Sequence, residues 1–469
     1  MKTAHSESIA EAESYAELVG RQRNYFNSNR TKSVDFRIAQ LRRLRDLIRV
    51  NEGPLQEAIY EDFGKQPFDT LFGEFFLIYD EIDVAIRNLK EWSSRKPVTT
   101  NQLNMPATSY IVPEPLGVSL IIGPWNYPIN LSLVPAVAAI AAGCTVILKP
   151  SELTAHVSAA LATLVCDNFD SAYFAAVEGG VPETTALLTE KFDIIFFTGG
   201  VPVGKFVYAA AAKHLTPVVL ELGGKSPTII APDGNLDVAV RRLVWAKFVN
   251  SGQTCIAPDY VCVHRSLYAE FLKKVGNEIE HADYQLENGN YVHIINERNT
   301  SRIVSLIDPR KVVVGGGYSI GNRFIEPTVM KDVTWDDRAM QEEIFGPVLP
   351  VMPYDDLGDV IAQIKGRPKP LALYLFTEDQ ATKDKVLSEV SFGGGCINDA
   401  FMHIANGELP FGGVGDSGIG NYHGEAGFRA FSHYKSILDR EVVPDPDIKY
   451  PPYTDEKLAV LKSVVPLGA

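Results

Sequence analysis

Residues 117–149, GVSLIIGPWNYPINLSLVPAVAAIAAGCTVILK, decide the fold. They open with a β-branched run, GVSLII, cross a loop punctuated by proline and asparagine, pass through a small-residue helical stretch at 131–142 and close with a second run, TVILK. Strand, loop, helix and strand in that order make a βαβ unit, in which a crossover helix returns the chain to a parallel neighbouring strand. Residues 115–148 carry no charge, so length alone would admit a membrane span. Pro124, Asn126, Pro128, Asn130, Pro135 and Gly143 break the stretch into pieces too short for one.

The alternation continues outward. Towards the C-terminus follow a helical stretch at 154–167, YFAAV, a helix at 182–189, DIIFF, a helix at 202–213 and PVVLE. A second series begins with SPTIIA at 226 and adds a helix at about 236–250, the runs DYVCVH, VVVGG and PVLPVMPY, and helices near 267–280, 355–365 and 379–390. Such alternation predicts an α/β fold, a doubly wound parallel sheet followed by a second α/β domain. Towards the N-terminus, residues 10–95 are helical in pattern, with apolar positions 38, 41, 44, 47 and 48 set among Arg and Asp that read as a solvated face. Residues 97–113, PVTTNQLNMPATSYIVP, change to a polar, Pro-bounded composition that predicts an extended arm or hairpin.

With 469 residues, 46% of them hydrophobic, the chain has ample material for several cores. A formal net charge of -14 argues against nucleic-acid binding through a basic surface. Five widely spaced cysteines, without a C-x-x-C pair, exclude a disulfide framework and predict no structural metal. The first twenty residues carry acidic groups throughout and lack the apolar core of a secretion signal. The tail LAVLKSVVPLGA is too short and interrupted to anchor, so a cytoplasmic location without a membrane anchor is expected.

Ligands of open parallel sheets bind at the carboxyl ends of the strands. Those ends carry Gly123, Trp125 and Asn126 after the first run, Lys149 and Glu152 after TVILK, Thr198, Gly199 and Gly200 after DIIFF, and Glu221 and Leu222 at the end of PVVLE. One crevice would thus gather an amide, a cation, a glycine turn and a carboxylate. The turn TGGVPVGK matches the first part of a P-loop, but Phe206 stands where magnesium needs a Ser or Thr hydroxyl. The alternatives left are a helix N-terminus offering N–H groups to a pyrophosphate and a plain strand-to-helix turn.

Cys255, in NSGQTCIAP, follows a helix among small polar residues and is the candidate nucleophile. A thiol titrating near ~8.5 needs backbone dipoles or a nearby cation to become a good one. Cys144, Cys166, Cys262 and Cys396 read as core packing. A cysteine protease would need a histidine partner, and His264 falls in a strand with no residue to orient it.

In order, PWNYP, ILKPSE, FFTGG, LELGGKSP, NSGQTC, EEIFGP and PFGGVGDSG resemble the aldehyde dehydrogenases over nearly the whole chain. GQTC and the stretch from PFGGVGDSG to HYKSIL are similar to the class-three branch, which oxidises medium- and long-chain aliphatic or aromatic aldehydes. The resemblance implies a dinucleotide-binding domain at 1–96 and 114–222, with a return segment at about 398–429, and a catalytic domain at 223–397. It also implies dimer-bridging β segments at 97–113 and 430–443 and a C-terminal tail at 444–469.

The same resemblance assigns roles. Cys255 attacks the aldehyde, the Asn126 amide and the Cys255 N–H hold the oxyanion, and Glu221 activates the water that hydrolyses the thioester. Trp125, Thr198, Gly199, Gly200, Val203, Gly204 and Leu222 line the cofactor site, Glu343 and Phe345 hold the nicotinamide ribose and ring, and Lys149 and Glu152 contact the adenosine ribose. Gly200 stands where the family often carries Ser or Asn. Glu152 should repel a 2′-phosphate, so NAD is expected ahead of NADP, with a homodimer as the assembly. Two rivals are an acylating enzyme that passes the thioester to coenzyme A, against which Glu221 speaks, and a structural protein on the same fold.

Overall fold

The computed structural model describes residues 14–464. Most of the acidic N-terminal stretch and residues 465–469 of the tail, both read above for targeting signals, lie outside the described residues.

Six strands form the first sheet, in the order Gly418–Ile419, Val218–Leu222, Ile194–Gly199, Val118–Ile122, Thr145–Lys149, Phe174–Ala176. Val118–Ile122 and Thr145–Lys149 are buried at every position, as strands covered by helices on both faces must be. Register then aligns the strand ends, because Ile122 faces both Lys149 and Phe197, and Thr198 faces Glu221. Four predicted strand-end groups therefore share one edge of the sheet.

The crossover helix Asn130–Ala142 is buried along its whole length. It runs through Pro135, which does not break it as its place in the sequence suggested. The helix ends at Gly143 in a left-handed conformation (φ 98°), where a Cβ would lie 2.8 Å from Arg37 Nε. Arg37 is buried there and donates to the Ala141 and Thr31 carbonyls, at 3.2 and 2.7 Å. One of the arginines assigned to a solvated face is thus a cap for the central helix.

Seven strands make the second sheet, in the order Val312–Val314, Thr328–Met330, Val348–Tyr354, Tyr260–His264, Pro227–Ile230, Ala372–Phe376, Gly394–Ile397. Every pairing is parallel except the edge pair Val312–Val314 with Thr328–Met330. Alternation alone did not reveal Thr328–Met330 or Ala372–Phe376, whose runs are short and follow prolines. Near the C-terminus the chain returns to the first sheet, where Gly418 pairs antiparallel with Glu221. Lys96–Val98, Ala107–Pro115 and Ser432–Arg440 build a separate three-stranded antiparallel sheet.

All five cysteines are free thiols. Cys144 and Cys262 are buried, but Cys166 is exposed, one residue past the buried Leu161, Leu164 and Val165 of its helix, so its core-packing reading is corrected. Cys396 is half-buried and lies inside a strand rather than ahead of one. Among the described residues, no helix is long and apolar enough to cross a membrane.

Candidate active site

Helix Leu236–Phe248 delivers the chain to a left-handed turn in which Asn250, Ser251 and Gly252 have φ of 54°, 52° and 70°. Consecutive left-handed residues are costly. Side-chain hydrogen bonds hold them: Ser251 Oγ donates to Val292 O at 2.5 Å, and Gln253 Nε2 donates to His293 O at 3.0 Å while its Oε1 accepts from Ile295 N at 2.9 Å. Only glycine fits at 252, where a Cβ would lie 2.4 Å from the Gly346 carbonyl oxygen. This turn carries Thr254 and the half-buried Cys255 out from the second domain towards the strand ends of the first sheet.

From the opposite side comes the loop after Val118–Ile122. Asn126 is buried, and its Nδ2 donates to Gln253 O at 3.0 Å, two residues before the thiol. An amide nitrogen carries two N–H groups, so this bond leaves one. The Asn126 backbone carbonyl accepts from Asn250 Nδ2 at 3.0 Å and from Lys65 Nζ at 3.4 Å. Tyr127 Oη and Thr254 Oγ1 form a further bridge between the two loops, 3.1 Å long.

Glu221 is only 3% exposed, and neither of its carboxyl oxygens has a hydrogen-bond partner among the described residues. Thr198 Oγ1, on the adjoining strand, is equally unpartnered. Burial raises the Glu221 carboxyl well above its ordinary range. Burial also raises the Cys255 thiol, and the carboxylates of Glu343 and Glu221 add to that effect, while the N–H groups of Cys255 and Ile256 oppose it. Glu343 is itself pushed up to about 8, by burial first and then by Asp259. A base of raised affinity beside a reluctant thiol suits proton transfer between them or through one water.

Two cavities meet at this point. One is narrow and apolar, about 40 Å³, room for only a few waters, with Phe72, Phe76, Leu131, Phe401, Ile404 and Phe411 among its walls. The other, about 490 Å³, is bordered by Trp125, Asn126, Gly199, Gly200, Leu222, Arg302, Glu343 and Phe345. Thr198, Glu221 and Cys255 border both. A larger groove of about 710 Å³ lies elsewhere, over residues 276–287 and 313–327, and contains none of the candidate residues.

The wider cavity suits a dinucleotide. Its volume is in the range of cofactor sites, the first-turn N–H groups of helix Val201–Ala212 have no intrahelical partner, and Gly223 brings backbone close to the Glu343 carboxylate, which a Cβ there would meet at 1.9 Å. Phe345 is held at φ 47°, and its ring meets Trp125 edge-on with centroids 5.3 Å apart. Val203 is exposed on the first turn of the helix, whereas Gly204 packs against Leu222, where a Cβ would lie 2.5 Å from Cδ2. Lys149 and Glu152 do not border this cavity. Lys149 is buried, donates to Pro150 O at 2.7 Å and stands 4.0 Å from the half-exposed Glu152 carboxylate.

Several supporting residues were given no role by the sequence. Lys225 donates to the Ala339 and Glu342 carbonyls at 2.7 and 2.9 Å and pairs with Asp259, whose other oxygen accepts from Ile344 N at 2.9 Å. Arg302 donates to the Glu343 and Ile344 carbonyls at 3.2 and 2.7 Å. Together they fix the 342–345 loop by its backbone, which no side-chain pattern reveals.

The family model described as "Aldehyde dehydrogenase family" matches residues 3–437. The chain is 44% identical over 443 residues to the rat "Aldehyde dehydrogenase, dimeric NADP-preferring", covering 94% of this chain and 98% of that protein. It is 43% identical over 444 residues to "Aldehyde dehydrogenase family 3 member A2" of Pongo abelii, covering 94% and 92%. A solved structure of the substrate-bound state of Staphylococcus aureus AldH superposes with a TM-score of 0.92 at 42% identity, covering 95% of this chain and 98% of that one. The strand-end residues, the cysteine turn and these likenesses lead to one conclusion: the chain belongs to the aldehyde dehydrogenase family, among relatives of its class-three branch.

Proposed function

We propose that the protein oxidises medium- or long-chain aliphatic or aromatic aldehydes to carboxylic acids with NAD, and less readily NADP, through a thioester on Cys255. The observation that carries this reading is the pair Cys255 and Glu221 at the wall shared by a narrow apolar cavity and a cofactor-sized cleft. An apolar aldehyde enters through the first, and its carbonyl carbon meets the sulfur.

The thiolate of Cys255 adds to the carbonyl, and the oxygen gains its negative charge beside the free N–H of the Asn126 amide and the backbone N–H of Cys255. When bound, the nicotinamide supplies the hydride acceptor that turns this thiohemiacetal into a thioester. Glu221, raised by burial, takes a proton from water, and the resulting hydroxide attacks the thioester carbon. The tetrahedral adduct expels the Cys255 thiolate and leaves the carboxylic acid. Trp125, Phe345 and the clamped 342–345 loop hold the ring side of the cofactor, and Lys149 and Glu152 its adenosine side. Glu152, with Glu183 and Glu178 near Lys149, makes this end acidic and favours a ribose hydroxyl over a phosphate. The rat relative is named NADP-preferring, so the preference is a point on which this chain is expected to differ.

The three-stranded sheet of Lys96–Val98, Ala107–Pro115 and Ser432–Arg440 leaves an outer strand for a second copy, and a homodimer is the expected assembly. Five free thiols suit a reducing, cytoplasmic setting. Absorbance at 340 nm with NAD and a series from acetaldehyde to dodecanal, beside benzaldehyde, tests the reading. A rise without coenzyme A, largest for the longer or aromatic substrates, is expected. Dependence on coenzyme A would replace it with the acylating reaction.

A further inference from the structure

Lys65 and Glu74 are charged, yet 2% and 0% exposed. Their ion pair is 3.1 Å long. Lys65 follows the first helical layer at the end of Glu52–Phe63, and Glu74 sits in the π-turn Leu71–Phe75 that leads into helix Phe76–Trp92. π-turns occur disproportionately at functional sites. Each partner has a second bond, and both go to the same loop. Lys65 Nζ donates to the Asn126 carbonyl at 3.4 Å and lies over the Tyr127 ring, 4.1 Å from its centroid. Glu74 Oε2 accepts from Asn130 N at 2.7 Å.

We propose that the Lys65–Glu74 pair is a positioning device for the oxyanion amide, gripping the 126–130 loop at both ends so that the Asn126 side chain is held against the cysteine turn. A buried ion pair is a poor source of stability, since an apolar pair of similar volume does as well or better. What the pair supplies is direction. Asn126 shares its carbonyl between Lys65 and Asn250, and one Nδ2 N–H donates to Gln253 O, so residue 126 is held both from the cysteine turn and by Lys65 from outside it. Without Lys65, the carbonyl loses the donor that reaches it from outside the cysteine turn, and the loop is free to tilt. A displacement of about 1 Å at a group of this kind costs on the order of 10²-fold in rate.

The inference rests on the reading of Asn126 as an oxyanion donor, and the test separates the two. The rate constant of the NADH burst is measured by stopped flow for wild type, Asn126→Ala, K65M/E74Q and the triple variant. In K65M/E74Q the glutamine keeps an acceptor for Asn130 N, and neither member of the pair is left charged without the other. Asn126→Ala should slow the burst by about 10²- to 10³-fold, and K65M/E74Q by about 10- to 10²-fold. In the Asn126→Ala background the pair should change the rate by less than about 3-fold, because the group it positions is gone. NADH binding should be unchanged throughout. Equal losses in both backgrounds, or a wild-type burst in K65M/E74Q, would overturn the positioning role while Asn126 keeps its own. A wild-type burst in Asn126→Ala would overturn both. Should K65M/E74Q not fold, the same cycle is run with K65M/E74L, whose apolar pair fills the site.

Discussion

Two buried carboxylates of this protein, Glu74 and Glu221, are treated oppositely. Glu74 meets an ammonium group and a backbone N–H, and so gives each oxygen a partner. Glu221, equally removed from water, accepts no hydrogen bond among the described residues, and the nearby Thr198 hydroxyl is unpartnered too. A buried polar group without a partner costs about 1–3 kcal/mol, more when charged. In the proposed reaction substrate or water offsets that cost by bonding to Glu221. At these two residues the partnered carboxylate belongs to the scaffold, and the unpartnered one fits the role proposed for Glu221.

The contrast is broken most directly at the sulfur both cavities share. Cys255→Ala should lower steady-state oxidation by roughly 10⁴-fold or more, the scale on which nucleophile deletions act, while NADH binding persists because the half-buried thiol only borders the core. Activity near wild type would move the chemistry to another residue. Glu221→Gln comes next, with turnover falling by about 10²- to 10⁴-fold while one equivalent of NADH is still released and mass spectrometry shows an acyl group on Cys255. Should the burst also slow and then recover with rising pH, Glu221 takes the thiol proton as well, since burial raises that thiol. Undiminished turnover would remove Glu221 from the mechanism.

At Glu74 a change in stability is expected beside the slower burst argued above. Glu74→Gln leaves Lys65 buried beside a neutral amide, and breaking a buried pair in this way costs about 3–5 kcal/mol. Urea denaturation of the single variant and of K65M/E74Q checks it: the second substitution should recover most of the loss. Equal midpoints for the two would mean that Lys65 is not charged in the folded protein.

The strand-end arithmetic made one half of this contrast legible in the sequence and hid the other. Thr198 and Glu221 lie at the ends of predicted strands and Asn126 in the loop just after one, and parallel strands in register bring such ends to one edge. Cys255 stood out because its neighbours are small and polar. Lys65 and Glu74 lie in a helical region rich in charge, where a buried lysine and a solvated one have the same local pattern. Only the packing of Tyr127 and Asn130 over them distinguishes the two. Arg37 and Cys166 erred in opposite directions for the same reason: neighbouring elements, not the residue's own helix, decide burial. The clamps at Lys225 and Arg302 act on carbonyl oxygens, which every residue has and no composition records.

A smaller effect concerns the half-exposed Glu152 carboxylate, outside the cleft on the proposed adenosine side. Glu152→Gln should shift the ratio of kcat/KM for NAD over NADP towards NADP by roughly 3- to 10-fold, the scale of one solvent-screened charge. No shift, with NADP preferred by wild type, would place the 2′-position away from Glu152 and leave Lys149 as its partner.

The last expectation returns to the opening pair and is the smallest. Because burial raises the Glu221 carboxyl above its ordinary 4.5, the folded protein holds this proton more tightly than the unfolded chain does. The stabilisation that the protonated group provides is fully present below pH 4.5 and is lost as pH rises through the raised value. At pH 8 the wild type therefore carries a penalty, either for an ionised buried carboxylate or for keeping it protonated. A neutral glutamine of the same shape does not. Glu221→Gln is therefore expected to have the higher Tm at pH 8, less the part that the glutamine's own unpartnered N–H groups return. Below pH 4.5 the gain should vanish. Thermal unfolding of wild type and Glu221→Gln at pH 4.5 and 8 reads both signs: a variant that is less stable at pH 8 would show that the carboxylate has a structural partner after all, and the division between partnered and unpartnered charge would fail at the residue on which it rests.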